Sequence, residues 1–159
     1  MNIFILDRDP ILAAEYLCDK HIVKMPLESF QMLSTCHYVF NSNLDLIYKP
    51  CYINHPCNIW IRKSQSNYNW LVEHTYAMHE QKLIRYEKPH ASYVKLYNVL
   101  KNPPKGLEDI GLTDFVLAMP DVYKVNDPVQ SYRNYYIGDK ARFARWTEPA
   151  KVPYWFIKK

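Results

Sequence analysis

Only three of the 159 residues are glycine, and that scarcity sets the first limit on the fold. Tight hairpin turns need backbone at positive φ, which glycine supplies at least cost, so a β-meander of this length would call for many more. Eleven scattered prolines instead cut the chain into segments that read as helices. Asp9-Pro10 and Asp127-Pro128 each put a capping carboxylate before a first-turn proline. The spacing predicts an all-α or nearly all-α fold: a compact single-domain helical bundle over residues 1–159, with a short extended N-terminal segment and an extended aromatic C-terminal tail.

In more detail, residues 2–6 (NIFIL) read as a buried strand or extended segment. A helical pattern starts at Pro10 and continues, or restarts near Asp19, to about Phe40, with Pro26 expected to kink it or mark a junction. Residues 44–63 read as loop plus a short helical turn. Ser66 is expected to cap a long helix ending at Tyr86, Pro89 to open another, and Thr113 or Asp114 to cap a short one ending before Pro120. The last helix is expected from Pro128 to about Trp146, and the tail EPAKVPYWFIKK to be extended and docked through Tyr154, Trp155 and Phe156.

The net charge of +4 is mild, and it favours an anionic ligand over a cationic one. No run of apolar residues is long enough for a membrane span, and the N-terminus breaks at Asp7, too early for a signal peptide. Cys18, Cys36, Cys51 and Cys57 form no CxxC pair, so reduced thiols in a cytoplasmic compartment are expected. No P-loop, GxGxxG or GxSxG motif is present, which argues against nucleoside triphosphate, dinucleotide and α/β-hydrolase chemistry. Cys51, His55 and Cys57 sketch a zinc site without a fourth ligand, and His74 and His79 are spaced wrongly for a metal pair, so neither metal nor cofactor is expected.

The segment CDKHIVKMPLESFQ, residues 18–31, is the first candidate for chemistry. At about 100° per residue, Ile22, Val23, Pro26, Leu27, Phe30 and Leu33 share one side of a helix. His21, Lys24, Glu28, Gln31 and Thr35 share the other, within an arc of about 80°. Such a stripe is either a solvated face with a Lys24–Glu28 ion pair or a lined pocket, where an acid, an amine, an imidazole and an amide can provide acid/base chemistry and anion contacts. Asn54 and His55, just before Pro56, are either loop-holding residues or substrate contacts. SYRNYYIGDKARFARW, residues 131–146, mixes aromatics with cations. Tyr132, Arg133, Tyr136 and Lys140 are therefore candidates for stacking on bases and holding phosphates, although amphipathic helices also look like this.

LCDKHIVKMPLES resembles the catalytic helix of the pyrimidine-dimer DNA glycosylases, the small phage-type endonuclease V enzymes and their bacterial relatives: Asp19, His21 and Glu28 match its acid, histidine and glutamate. YINHPCNIWIRK is similar to an Asn-His-Pro segment of the bacterial relatives, and KVPYWF loosely to their Trp-containing tail. DKH, NHPC and YRNYY also resemble viral proteins, whose setting would be the cytoplasm of an infected host cell. The resemblance implies a compact helical fold and a DNA partner, a duplex with one nucleotide flipped out. It also implies an N-terminal amine, here that of Met1, attacking the sugar C1′, with Glu28 assisting base loss and strand cleavage. Lys24 is the alternative amine. Leu27 and Gln31 stand where the phage-type enzymes carry arginines. The expected function is a DNA glycosylase, with AP-lyase activity as an extension, acting on damaged or modified pyrimidines. The alternatives are an enzyme acting on free nucleotides or modified bases, and a non-enzymatic nucleotide- or partner-binding module.

Overall fold

The computed structural model describes residues 1–45 and 47–157. Leu46 of the expected loop and Lys158 and Lys159 of the expected tail lie outside the described residues. Among the described residues there is no β-strand, and the architecture is all-helical.

Helix α1 (Pro10–Glu15) starts where the Asp9 carboxylate accepts hydrogen bonds from the Ile11 and Leu12 amides, at 2.8 and 3.0 Å, with Pro10 in the first turn. Helix α2 (Asp19–Val39) begins after a break at Cys18, so the pattern restarts rather than continues. Asp19 places a negative charge at its N-terminal end, where the helix dipole favours it. The junction expected at Pro26 is absent: α2 runs through Pro26, which is buried. The helix ends at Phe40, followed by Asn41 in the left-handed conformation, φ 54°.

Helix α3 (Pro56–Ile61) is capped by His55, whose Nδ1 accepts from the Cys57 amide. Helix α4 (Gln65–Tyr86) is capped by Ser64, not Ser66. Ser66 lies in the first turn, and its hydroxyl and amide donate to the Asp109 carboxylate. Helix α5 (Ala91–Leu100) is capped by His90 rather than opened by Pro89. Helix α2 packs against α3, α4 and α5, and α1 against α4. Leu6, Leu17, Ile22, Phe30, Leu33, Trp60, Tyr68 and Leu71 fill the space between them. Each fully buried large apolar side chain contributes about 1.5–3 kcal/mol relative to exposure.

Two expectations fail C-terminal to α5. No helix forms over residues 113–119. The Asn67 side chain on α4 claims that stretch: its Nδ2 donates to Thr113 Oγ1 at 2.7 Å and its Oδ1 accepts from the Thr113 amide at 2.9 Å. Only a 3₁₀ turn at Asp121–Tyr123 follows. Helix α6 (Pro128–Tyr135) starts at its Asp127 cap as expected but stops well before Trp146, passing into a π turn over Tyr136–Lys140. Gly138 lies against the Tyr123 ring so closely that a Cβ there would come within 2.4 Å of it. In the tail, Trp155 and Phe156 pack on the body, whereas Tyr154 is exposed, with its ring edge-on to Tyr16.

Residues 3–6 are buried and form no strand; they thread through the interior and bend at the end, where the Leu6 amide donates to the Phe4 carbonyl at 3.0 Å. Side chains supply donors that a neighbouring strand would otherwise supply. Arg133 Nε donates to the Leu6 carbonyl at 3.0 Å, and just beyond the segment Trp70 Nε1 donates to that of Arg8 at 2.8 Å. This buried thread carries the N-terminus to α2.

Candidate active site

The polar stripe of α2 is turned inward. Ile22, Pro26, Phe30 and Leu33 are buried as expected, but Val23 and Leu27 are exposed, while His21 and Thr35 are buried. The buried arc is rotated toward the polar side, because the N-terminal thread crosses α2 there. Phe4 stacks on His21, ring centroids 4.3 Å apart and ring planes nearly parallel.

Glu28 is the centre of this contact. Its side chain is 13% exposed. One oxygen, Oε2, faces the Met1 α-ammonium at 3.7 Å and accepts from the Asn2 amide at 3.1 Å. The other, Oε1, faces the Lys24 ammonium at 3.3 Å. The Met1 side chain is buried and anchors the residue, which as a whole is half-buried, whereas the Lys24 side chain is 61% exposed at the rim. Asn2 fixes the terminus: its Nδ2 donates to the Ala118 carbonyl at 2.8 Å, and its Oδ1 accepts from the Ile3 amide at 2.8 Å and from the Tyr132 hydroxyl at 3.3 Å.

These groups line a pocket of about 170 Å³ formed by Met1, Asn2, Phe4, His21, Lys24, Met25, Glu28, Tyr135 and Lys140. Clefts of about 490 Å³ and 420 Å³ lie elsewhere, beside Asn102–Lys105 and beside Trp146. Those two are roomier but have no carboxylate in their lining, and a third cleft of about 320 Å³ beside Pro149–Tyr154 is lined by Glu15; the smaller pocket is the one whose carboxylate is paired with two amines, and it is the chemical candidate. Among the described residues, no group of three His, Cys, Asp or Glu side chains is arranged to hold a metal ion, and the four cysteines are unpaired thiols.

His21 forms the back wall. Its Nδ1 is 2.5 Å from the Tyr136 hydroxyl, which also accepts from the Cys18 amide. With the phenol donating to Nδ1, the imidazole carries its proton on Nε2. Burial pushes its pKa down to about 3, with Lys140, Lys24 and Lys20 adding to the fall, so the ring is neutral at neutral pH. Lys140 sits across the pocket, 2.7 Å from Asp139 and 3.1 Å from the Tyr135 hydroxyl. Burial alone would depress it, but these hydrogen bonds outweigh burial and raise its pKa above the ordinary lysine value.

Met1, His21, Lys24, Glu28 and Lys140 are therefore brought together, and the remaining candidates are not. Gln31 is half-buried one turn beyond Glu28, outside the pocket lining. Asn54 is exposed on the loop before α3. His55 caps α3 close enough to the centre that, after burial, the α-ammonium is the next cause lowering its pKa, while Glu28 opposes them. Tyr132 and Tyr136 are fully buried and support the site from beneath rather than facing solvent. Arg133 points away from the pocket: its guanidinium holds the Leu6 carbonyl and stacks near Tyr16, Tyr154 and Trp155. Asn2, Phe4, Met25 and Tyr135 were not singled out by sequence reasoning. Tyr135 had a visible signal in the YRNYY run, but the other three had none, because only the fold carries the N-terminus to α2.

Asp19, the third residue of the acid–His–Glu spacing, lies on the opposite side of the helix start. Its carboxylate accepts from Arg85 Nη1 at 3.1 Å, from the Thr147 amide at 3.1 Å and from the Thr147 hydroxyl at 2.8 Å. Arg85 also donates to the Leu17 and Glu15 carbonyls, at 2.8 and 3.0 Å, satisfying chain ends between α1 and α2.

No curated protein and no solved structure matches the chain. The profile of the pyrimidine dimer DNA glycosylase family matches residues 1–93, a stretch that holds the N-terminal thread, all of α2 and the whole Met1–Lys24–Glu28 contact. The chain belongs to the pyrimidine dimer DNA glycosylase family.

Proposed function

We propose that the protein is a DNA glycosylase with AP-lyase activity, acting on damaged pyrimidines in duplex DNA. The observation that carries this reading is the Glu28 carboxylate held between the Met1 α-amine and Lys24 at the mouth of a pocket backed by a neutral histidine. Membership of the pyrimidine dimer DNA glycosylase family supports this choice of substrate.

In this reading the deprotonated Met1 amine attacks C1′ of a flipped nucleotide. The N-glycosidic bond breaks, and its electron pair leaves with the base, which takes up a proton. Glu28 stabilises the positive charge that builds on the sugar and accepts a proton from the attacking nitrogen. Breakage of the C1′–O4′ bond, with proton transfer to the ring oxygen, leaves a Schiff base between C1′ and the amine. Loss of a C2′ proton then expels the 3′ phosphate, and the strand is cut. Lys24, more exposed and one helical turn away, serves as the charge that keeps Glu28 oriented, and Lys140 as a cation for a flanking phosphate.

The test is an incubation with duplexes carrying a pyrimidine dimer or an abasic site, with and without borohydride, followed by peptide mapping of the trapped complex. The reading expects strand cleavage and a reduced covalent complex on the Met1 nitrogen. A complex on Lys24 reassigns the nucleophile. Binding and cleavage absent on every lesion would overturn the glycosylase reading. Base release that leaves an intact abasic strand and no trapped complex would mean that water, not an amine, attacks C1′.

A further inference from the structure

We infer that Tyr52 is a stacking residue that enters the base stack of the duplex beside the nucleotide drawn toward Glu28. The inference rests on the glycosylase reading above and adds a DNA contact outside the pocket.

Among the described residues, three other than glycine have positive φ: Asn41, Tyr52 and Glu87. Asn41 and Glu87 are at the ends of α2 and α4, where a left-handed residue closes a helix. Tyr52, at φ 46°, ends no helix. A bulky side chain in this region costs free energy and persists only where the surroundings over-determine it.

The surroundings do so. The Asn58 side chain, itself buried, donates to the carbonyls of Cys51 and Tyr52 at 3.1 and 2.8 Å. Thr35 Oγ1 on α2 accepts from the Cys51 amide at 3.2 Å. Arg62 Nη1 donates to the Ile53 carbonyl at 2.7 Å, and the His55 amide donates to that of Tyr52 at 2.9 Å. The backbone is clamped from α2 and α3, yet the Tyr52 residue is 71% exposed and Ile53 beside it 37% exposed. The fold bears local strain to hold an aromatic ring in water, a placement that brings it little burial.

The clamp also ties this ring to the chemistry. The same Asn58 Nδ2 contacts Met1 Sδ at 3.2 Å, so one amide positions both the Tyr52 backbone and the residue that carries the α-amine. Lys49, on the same loop, is exposed and cationic, as a segment lying along a phosphate backbone requires. Removing a nucleotide from a duplex leaves a gap and an unpaired opposite base, and an aromatic face offered at the gap offsets part of the lost stacking.

The experiment uses the full chain and a dimer-bearing duplex with 2-aminopurine opposite the lesion, whose fluorescence rises on unstacking. Wild type, Tyr52→Phe, Tyr52→Ala and Tyr52→Gly are compared for binding, the fluorescence change and single-turnover cleavage. Glycine at this φ is unstrained, so Tyr52→Gly melts no lower than wild type, and any loss it shows is not a folding defect. The Ala and Gly variants are expected to lose roughly tenfold in duplex affinity, with a reduced fluorescence change, while Phe stays within about twofold of wild type. Ala and Gly variants that bind, unstack and cleave like wild type overturn the inference and leave the glycosylase reading intact. A wild-type protein that neither binds nor cleaves the duplex overturns both.

Discussion

Asp19 and Glu28 stand on the same helix, both carry carboxylates beside cations, and their surroundings differ in kind. Asp19 has its partners fully assigned: Arg85, the Thr147 amide and the Thr147 hydroxyl close around it, and the Arg85 side chain is wholly buried. That end of α2 is a staple that joins α1, α2, α4 and the tail segment. Glu28 is held by the Asn2 amide and two amines, that of the chain terminus and that of a largely exposed lysine, at the edge of a pocket. A carboxylate with fixed, saturated partners stabilises a structure. One that pairs with amines on the wall of a pocket can exchange a proton and meet a charge that arises on a ligand.

The largest effect expected from this difference lies at the Asp19 end. Arg85→Met keeps the length of the side chain but removes the donors to Asp19, Leu17 and Glu15. Chemical denaturation should show a loss of about 3–5 kcal/mol, as for other broken buried pairs. A loss below about 1 kcal/mol, the range of exposed ion pairs, would make the staple an ordinary surface contact and erase the contrast.

The next effect is acid sensitivity, and it bears on the Glu28 end through His21. All six histidines have pKa values lowered first by burial, His21 to about 3 and His74 to about 4. A histidine neutral in the folded state and protonated in the unfolded one contributes stability that is present above the unfolded pKa of about 6.5 and lost as pH falls toward the folded value. His21 and His74 should each remove about 2–3 kcal/mol between pH 6.5 and 4.5. Urea midpoints measured across that range should fall steadily, and the His21 ring signals should remain those of neutral imidazole at pH 5. A His21 titration near 6.5 would mean that the back wall of the pocket is charged during turnover.

Smaller effects separate the two cations of the last helical stretch. Lys140→Ala should flatten the salt dependence of duplex affinity by about one phosphate contact. Arg133→Ala should leave that slope unchanged and lower the melting temperature, because its guanidinium holds the Leu6 carbonyl and the tail aromatics. The reverse pattern would move the DNA surface to the Arg133 side. Smallest of all, Lys24→Met should change stability by only a few tenths of a kcal/mol, the scale of an i,i+4 pair.

What the sequence disclosed follows the range of the interactions concerned. The starts at Pro10 and Pro128 were legible because cap and first turn are neighbours in the chain. The missing helix at 113–119, where Asn67 of α4 holds Thr113, and the early end of α6 were not. On α2, a helical wheel sorts side chains relative to one another and predicts that His21, Lys24 and Glu28 share a side. It has no information about the buried N-terminal thread that turns this side inward, exposing Val23 and Leu27 instead. Tyr132 and Tyr136 looked like stacking residues because tyrosine serves interiors and surfaces alike, and here both lie inside.

The contrast between the two carboxylates is tested most directly by a crossed pair of isosteric variants, Glu28→Gln and Asp19→Asn, each measured for single-turnover cleavage of a dimer-bearing duplex and for melting temperature. Glu28→Gln should lose roughly 10²-fold or more in rate with its melting temperature little changed, the scale of a positioned acid or base. Asp19→Asn should melt lower and retain its rate at temperatures where it is folded. A Glu28→Gln protein that cleaves at the wild-type rate, or that is slow only because it unfolds, would contradict the account and return the polar side of α2 to a structural role.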